Sequence, residues 1–295
     1  MLETHHKPPF KTGPFSTEPY LLVRDHMVSG ETFELRADNQ EELLKTEPVP
    51  TDLAPYYKSN AYYSHHDDSG SPMARIYRLA RKWNTQWKLR LLNRWSDGCG
   101  KLLEIGSGTG NFLKAADHAG WTVTGVEPDS GARQAAERKG ISLYPSLDLA
   151  PKEQVDIIAL WHVLEHIPDL ERTLMELSAR LKPGGILIVA LPNFRSLDAR
   201  YYKSNWAGYD VPRHLWHFSR SGIRKLLAPF GFEEQQQKAM RLDAFYVSWL
   251  SEKYRKNPLG PLAAFAIGFW SNLSAGFNGE YSSVAYVYRK EANGQ

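Results

Sequence analysis

The chain has 295 residues, 42 % of them hydrophobic and 23 % charged, the proportions of a globular protein with a sizeable core rather than a disordered one. A formal net charge of +3 demands no polyanionic partner, and one cysteine, Cys99, excludes an intrachain disulfide or a multi-cysteine zinc site. The polar, proline-bearing start Met1–Phe15 lacks the apolar core of a secretory signal, and no apolar run nears the ~20 residues of a membrane span, so a cytoplasmic location is expected.

Residues 1–70 are rich in Pro, Tyr and His and read as an N-terminal extension. Within it, Tyr20–Val23 and Glu31–Arg36 are predicted strands joined through Val28-Ser29-Gly30. Ser71-Pro72 then signals a helix start, followed by Ile76, Ala80, Trp83, Trp87 and Leu91 at helical spacing. The same helix, residues 73–95, carries Arg75, Arg78, Arg81, Lys82, Lys88, Arg90 and Arg94 without an acid. That run can dock nucleic acid or an anionic membrane, although a solvated helix face is the commoner reason for one.

From Lys101 to Asn193 strands alternate with helices. Lys101–Ile105, Thr122–Glu127, Asp156–Trp161 and Ile186–Leu191 are short apolar runs, with helices near Asn111–His118, Ser130–Lys139 and Asp169–Leu181 between them. Alternation of this kind means crossover connections and a parallel sheet covered on both faces, an α/β architecture. A Trp- and His-rich loop follows, then a helix near Ser219–Ala228 and candidate strands Phe232–Ala239 and Ser282–Tyr288. Between those two strands, Leu262, Phe265, Phe269 and Leu273 form a helical stripe, expected to be buried or to cover an apolar acceptor pocket. A membrane-skimming role carries less weight, because no basic face accompanies the stripe itself.

The strand Lys101–Ile105 runs into Gly106-Ser107-Gly108-Thr109-Gly110 and then a helix. Alternate glycines permit a tight turn and close approach of a ligand to the backbone, at the strand end where open α/β sheets bind ligands. A dinucleotide fingerprint needs a third glycine where Asn111 stands, and a phosphate loop needs a Gly-Lys-Ser/Thr ending that is missing. Glu104, two residues before the first glycine, suits a cationic ligand better than a pyrophosphate. S-adenosyl-L-methionine carries a sulfonium and an ammonium. Glu127 ends the second strand, where an acid accepts from ribose hydroxyls.

Leu102–Phe112 resembles motif I of class I S-adenosylmethionine-dependent methyltransferases, and Gly125-Val126-Glu127-Pro128 resembles the ribose-binding end of their second strand. Asp156–His166 is similar to the family's fourth strand and turn, and Leu181-Lys182-Pro183-Gly184-Gly185 to the loop before the fifth. Asp210–Leu215 with His217-Phe218-Ser219 resembles the branch that includes ubiquinone-biosynthesis-type O-methyltransferases. The resemblance implies a Rossmann-like fold over residues 71–295, with a seven-stranded, mostly parallel sheet and a reversed final hairpin. It also implies that Glu104, Gly106, Gly108, Gly110, Glu127 and Pro128 hold the cofactor. Many relatives carry an acid after the third strand against the adenine; here Ser146 and Leu147 take that place, with Asp148 undecided. The tyrosine-rich segment Tyr56–His65 suits either a lid over the cofactor, with Tyr63 touching it, or an aromatic anchor for the extension.

His162, Glu165 and His166 follow the fourth strand on one helical face and can ligate a metal. The ubiquinone-type enzymes have Glu-x-x-Glu-His there and resemble magnesium users, but His162 weakens a hard-oxygen site. The preferred reading has no metal, and His162 contacts the methionine end of the cofactor. Arg213, His214 and His217 are the candidate catalytic residues, with either histidine as proton acceptor and Arg213 as anchor for an acidic acceptor, unless Asp210 and Arg213 simply pair. The expected activity is methyl transfer from S-adenosyl-L-methionine to a small-molecule acceptor, apolar or aromatic, at oxygen. The alternatives are an RNA or DNA methyltransferase docking through residues 73–95, and a cofactor-binding module without turnover.

Overall fold

A computed structural model describes residues 13–57 and 72–292, with side chains of the helix that begins at Pro72 described from residue 82 onward. Tyr63 and Ser71 lie outside the described residues, as do the side chains of Arg75, Arg78 and Arg81.

In chain order the strands are β1 Leu21–Arg24, β2 Thr32–Ala37, β3 Leu43–Glu47, β4 Lys101–Ile105, β5 Thr122–Val126, β6 Val155–Trp161, β7 Leu181–Pro192, β8 Trp216–Phe218, β9 Phe232–Ala239 and β10 Ser283–Lys290. The α-helices are α1 Ala54–Tyr57, α2 Pro72–Arg94, α3 Asn111–His118, α4 Ser130–Glu137, α5 Leu170–Arg180, α6 Leu197–Tyr202, α7 Arg220–Leu227, α8 Arg241–Tyr254 and α9 Gly260–Asn278.

The main sheet has the order β5-β4-β6-β7-β10-β9. β5, β4, β6 and β7 are parallel, while β10 runs antiparallel to both β7 and β9, giving the reversed hairpin. The seventh strand shrinks to one parallel bridge between Val126 and Tyr144. Pro145 follows at once, and its missing N–H ends the ladder. The loop expected at Leu181–Gly185 is absorbed into β7, opposite a register shift between Val155 and Ile157.

Side chains of the central strands alternate between two cores, as a period of two requires. Ile158, Leu160, Leu187, Val189 and Leu191 enter one cluster, while Ile157, Ala159, Ile186, Ile188 and Ala190 enter the other. The crossover helices start where a side-chain oxygen accepts an orphan N–H. Asp129 accepts from Ala132 in α4, Asp169 from Arg172 in α5 and Ser219 from Gly222 in α7.

A second, antiparallel sheet has the order β1-β2-β3-β8. β3 pairs with β8 in the register Leu43↔Phe218, Leu44↔His217, Lys45↔Trp216, and Phe218 also bridges to Asn193 just past β7. The Trp- and His-rich loop is therefore stitched both to residues 15–47 and to the main sheet. Arg213 draws the stitch tight. It is 1 % exposed and donates to Asp210 at 2.6 Å, to Asp25 at 3.0 Å and to the Tyr56 carbonyl at 3.1 Å. Burial works against the Asp25 charge, but the Ser29 N–H and Arg213 outweigh it and hold that carboxyl below its ordinary range. The stability this lends is present above the ordinary carboxylate range and lost as pH falls through the lowered value.

The apolar stripe on α9 is not buried. Leu262, Phe265, Phe269 and Phe277 are 72, 66, 51 and 89 % exposed, because α9 packs on the protein through Ala264, Gly268, Ser271 and Ala275 instead.

Replacing Arg213 by alanine strands the buried Asp25 carboxylate and frees the partly buried Asp210, so Arg213→Ala should lower the unfolding free energy by about 3–5 kcal/mol in urea titration.

Candidate functional site

β4 ends in a turn whose geometry only glycine supplies cheaply. Gly106, Gly108 and Gly110 have φ of 71°, 53° and 70°. A Cβ at Gly106 would lie 2.3 Å from Val163 Cγ2, and one at Gly110 would lie 3.0 Å from the Ala136 Cβ. At Gly108 it would meet nothing within 4 Å. The outer two glycines are thus required by packing as well as backbone, and the middle one faces open space that a ligand can occupy.

Glu127, 9 % exposed, reaches back from the end of β5 to hold this turn. Its Oε2 accepts the Gly108 N–H at 2.8 Å and its Oε1 accepts the Asp129 N–H at 2.9 Å. Each oxygen keeps a further lone pair for a hydroxyl donor. Pro128 is exposed beside it and passes the chain to α4, its carbonyl accepting from Arg133 at 2.7 Å. The Tyr144 carbonyl accepts the Glu127 N–H at 2.8 Å, which brings Ser146 and Leu147 alongside this edge. Leu147 packs partly against the core, whereas Asp148 points to solvent and pairs with Arg172 at 3.2 Å.

Below the turn lies Glu104, 3 % exposed, with its Oε2 meeting no hydrogen-bond partner. Burial raises its pKa above the carboxylate norm, and Lys88 pulls it back. Lys88 is not a solvated member of a basic face. Its ammonium stands 4.5 Å from the centroid of the Trp161 ring and 5.5 Å from that of Phe112, and burial lowers its pKa while Glu104 opposes the shift.

After β6 the chain takes a left-handed step at His162, φ 57°, a conformation costly for a residue with a Cβ and typical of functional turns. Its Nε2 stands 3.2 Å from Asp243 Oδ2 on α8, and its Nδ1 stands 3.4 Å from Glu165 Oε1. Burial alone would lower the imidazole's pKa. Asp243 and Glu165 outweigh it and raise the value to about 10, so His162 is a cation at neutral pH.

The remaining histidines divide sharply. His217 is buried, its Nε2 3.0 Å from Thr46 Oγ1. Thr46 gives its own proton to the His214 carbonyl, so its oxygen must accept from His217. Pro192, Phe194, Trp206, Trp216 and both imidazoles line a crevice too narrow for water. Arg213, expected to anchor an acidic acceptor, has its guanidinium turned to Asp25 and Asp210.

His214 differs. Its Nδ1 lies 2.9 Å from the Gly208 carbonyl and the His166 Nδ1 lies 2.9 Å from the Arg213 carbonyl. A carbonyl only accepts, so both Nδ1 atoms carry the proton and both Nε2 atoms offer lone pairs. The rings stand edge to face, 4.6 Å apart. Ligand atoms of Glu165, His166 and His214 lie within 4.8 Å of one another, and Glu165 Oε2 meets no hydrogen-bond donor. Three acceptors converge without a proton among them, and backbone carbonyls orient both rings, as the outer partners of metal-bound histidines do. This trio can hold a divalent cation. His162, expected as a possible ligand, is turned to Asp243 instead. Lys88, Asp243 and Thr46 escape the sequence reading because each acts across a tertiary contact; only the acid-free composition of α2 hinted at the first.

The chain's similarities match this geometry. A family model described as a methyltransferase domain matches residues 74–237. The ubiquinone biosynthesis O-methyltransferase of Actinobacillus pleuropneumoniae serotype 5b (strain L20) is 34 % identical over 113 residues, covering 34 % of this chain and 48 % of the relative. The protein of that name from Rhodopseudomonas palustris (strain HaA2) is 25 % identical over 219 residues, covering 68 % and 87 %. With that of Paramagnetospirillum magneticum, as with the first, the match spans under half of the relative's length, 40 %. Among solved structures, a chain from the complex with the Haloferax volcanii Trm112 methyltransferase activator aligns with a TM-score of 0.51 at 16 % identity, over 72 % of this chain and 91 % of its own. That likeness speaks to the fold. With the family model covering more than half of its length, the chain belongs to the methyltransferase-domain family and has the Rossmann-like fold of the class I, S-adenosyl-L-methionine-dependent enzymes.

Proposed function

We propose that the chain methylates a hydroxyl oxygen on a small-molecule acceptor, apolar or aromatic, and that the turn residues bind the donor. The observation that carries this reading is Glu104, a buried acid with an unpartnered oxygen beneath a glycine turn pinned by Glu127. S-adenosyl-L-methionine, when bound, supplies a methyl group on a positively charged sulfur. Glu104 sets negative potential under that charge, where low dielectric makes it count. Glu127 accepts from the ribose hydroxyls, and Ser146 and Leu147 flank the base. His162, held as a cation between Asp243 and Glu165, lends positive potential at the end of the site where the methionine carboxylate would lie. Oxygen as the receiving atom is supported by the similarity to ubiquinone biosynthesis O-methyltransferases.

His214 is the group in the loop suited to take the acceptor's proton. Burial and the neighbouring His166 lower its pKa to about 4, which leaves it unprotonated at neutral pH but a weak base, so the role depends on Glu165 beside it stabilising the imidazolium that forms. Arg213 and His217 position that loop.

The converging acceptors of Glu165, His166 and His214 favour a second reading, in which a divalent cation in this trio polarises the acceptor hydroxyl. Titrating Co²⁺ should then give wild type a visible absorption band that His214→Ala lacks; no band in wild type decides for the free imidazole.

Incubation with labelled methyl donor and a host metabolite extract should place label on an ether oxygen. Label only on nitrogen, or none at all, contradicts the proposal. Glu127→Ala should weaken S-adenosylhomocysteine binding by about 1.5–3 kcal/mol through lost ribose hydrogen bonds and a loosened turn, measured by calorimetry.

A further inference from the structure

The two helices between β9 and β10 are built inside out. α8 and α9 pack through small residues, namely Ala244, Ser248 and Ser251 on one and Ala264, Gly268, Ser271 and Ala275 on the other. The approach is close: a Cβ on Gly268 would stand 2.7 Å from Phe245 Cδ1 and 3.0 Å from Phe245 Cα. The large apolar side chains point the other way. Leu262, Phe265, Phe269 and Leu273 recur on the outer face of α9, joined by Leu259, Trp270 and Phe277, all at least 42 % exposed. On α8 the exposed positions Leu242, Tyr246 and Trp249 follow the same helical spacing. Phe245 and Phe265 stack at 5.6 Å across the hairpin, so the two outer faces are one surface.

A helix that docks on a water-soluble core turns its large residues inward. Small residues at the helix contact and large apolar residues outside are instead the packing solution used where the surroundings are hydrocarbon. The charges point to the same surroundings. α9 contains no ionisable residue in its 19 positions. Around it, Arg241, Lys253, Arg255 and Lys256 are exposed, whereas Glu252 is buried and hydrogen-bonded to Asn257 and Asp243 pairs with His162. Lys253 lies 3.5 Å over the exposed Trp249 ring, an aromatic–cation pair suited to the headgroup layer. Neither helix is long and apolar enough to cross a bilayer, so the surface lies along one.

We infer that the α8–α9 hairpin docks the protein onto an anionic lipid bilayer, with the Leu262–Phe265–Phe269 face in the acyl boundary and Lys253, Arg255 and Lys256 at the headgroups. The stripe itself has no basic face; the hairpin's tip supplies one through Lys253 at the end of α8 and Arg255 and Lys256 just beyond it.

Flotation of the full chain with vesicles tests this directly. The protein should rise with phosphatidylcholine–phosphatidylglycerol vesicles, rise less with phosphatidylcholine alone, and lose binding as salt is added. The exposed pair Phe265→Ser/Phe269→Ser and, separately, Lys253→Glu/Lys256→Glu should each weaken binding by about tenfold or more at unchanged melting temperature. Wild type remaining in the aqueous fraction with both vesicle types overturns the inference. So does flotation unaffected by either variant, or a stable dimer dissolved by the Phe pair in place of vesicle binding.

Discussion

The site depends on a reversal of the backbone at the end of β4 that leaves no room for a side chain at Gly106 or Gly110. Three glycines in the left-handed region let the chain turn within five residues, and the walls of the turn come from distant segments. Val163 fills the space a Cβ at Gly106 would need, and Ala136 and Ile141 close on Gly110. Glu127 fixes the middle of the turn through the Gly108 N–H. Because these supports come from β5, α4 and the turn after β6, the ends of three strands are brought to one place. A buried acid then sits under an open backbone, and the unpaired Glu104 oxygen is the feature a positively charged ligand relieves.

The acceptor side follows a different logic. The loop from Trp206 to Phe218 has little regular structure of its own and borrows order from β3, to which β8 pairs, and from the Arg213–Asp25–Asp210 cluster. Buried ion pairs of this kind add little net stability against an apolar alternative but penalise any other arrangement, which suits a loop that must present two imidazoles at fixed angles. His214 and His166 are held by backbone carbonyls, so their tautomers are dictated by the path of the main chain rather than by solvent.

Much of the α/β core was legible because its signals are local. The apolar runs of β4, β5 and β6 lie within short stretches of sequence, and the glycine turn announces its own geometry. The third strand position was not legible as a single bridge, since its length is set by how far Tyr144 can pair before Pro145. β3 and β8 were missed because LLKTE shows no clean alternation and β8 has three residues, and each is held as a strand by distant partners, β3 by β2 and β8 by β3. The stripe on α9 was visible, but its direction was not: period gives a face, whereas the small residues on the opposite face decide which side packs. His217 and Arg213 look reactive in sequence, and the contacts that occupy them come from Thr46 and Asp25, more than 160 residues away. Roles that depend on such distant partners are outside the reach of spacing and composition.

Isothermal titration of the wild-type chain with S-adenosylhomocysteine and, separately, with oxidised nicotinamide dinucleotide weighs most directly on the ligand class that this turn accepts. Saturable uptake of the sulfur nucleoside at one site per chain, with no heat from the dinucleotide, is the predicted result. Uptake of the dinucleotide in its place, or an empty titration with both, would contradict the account.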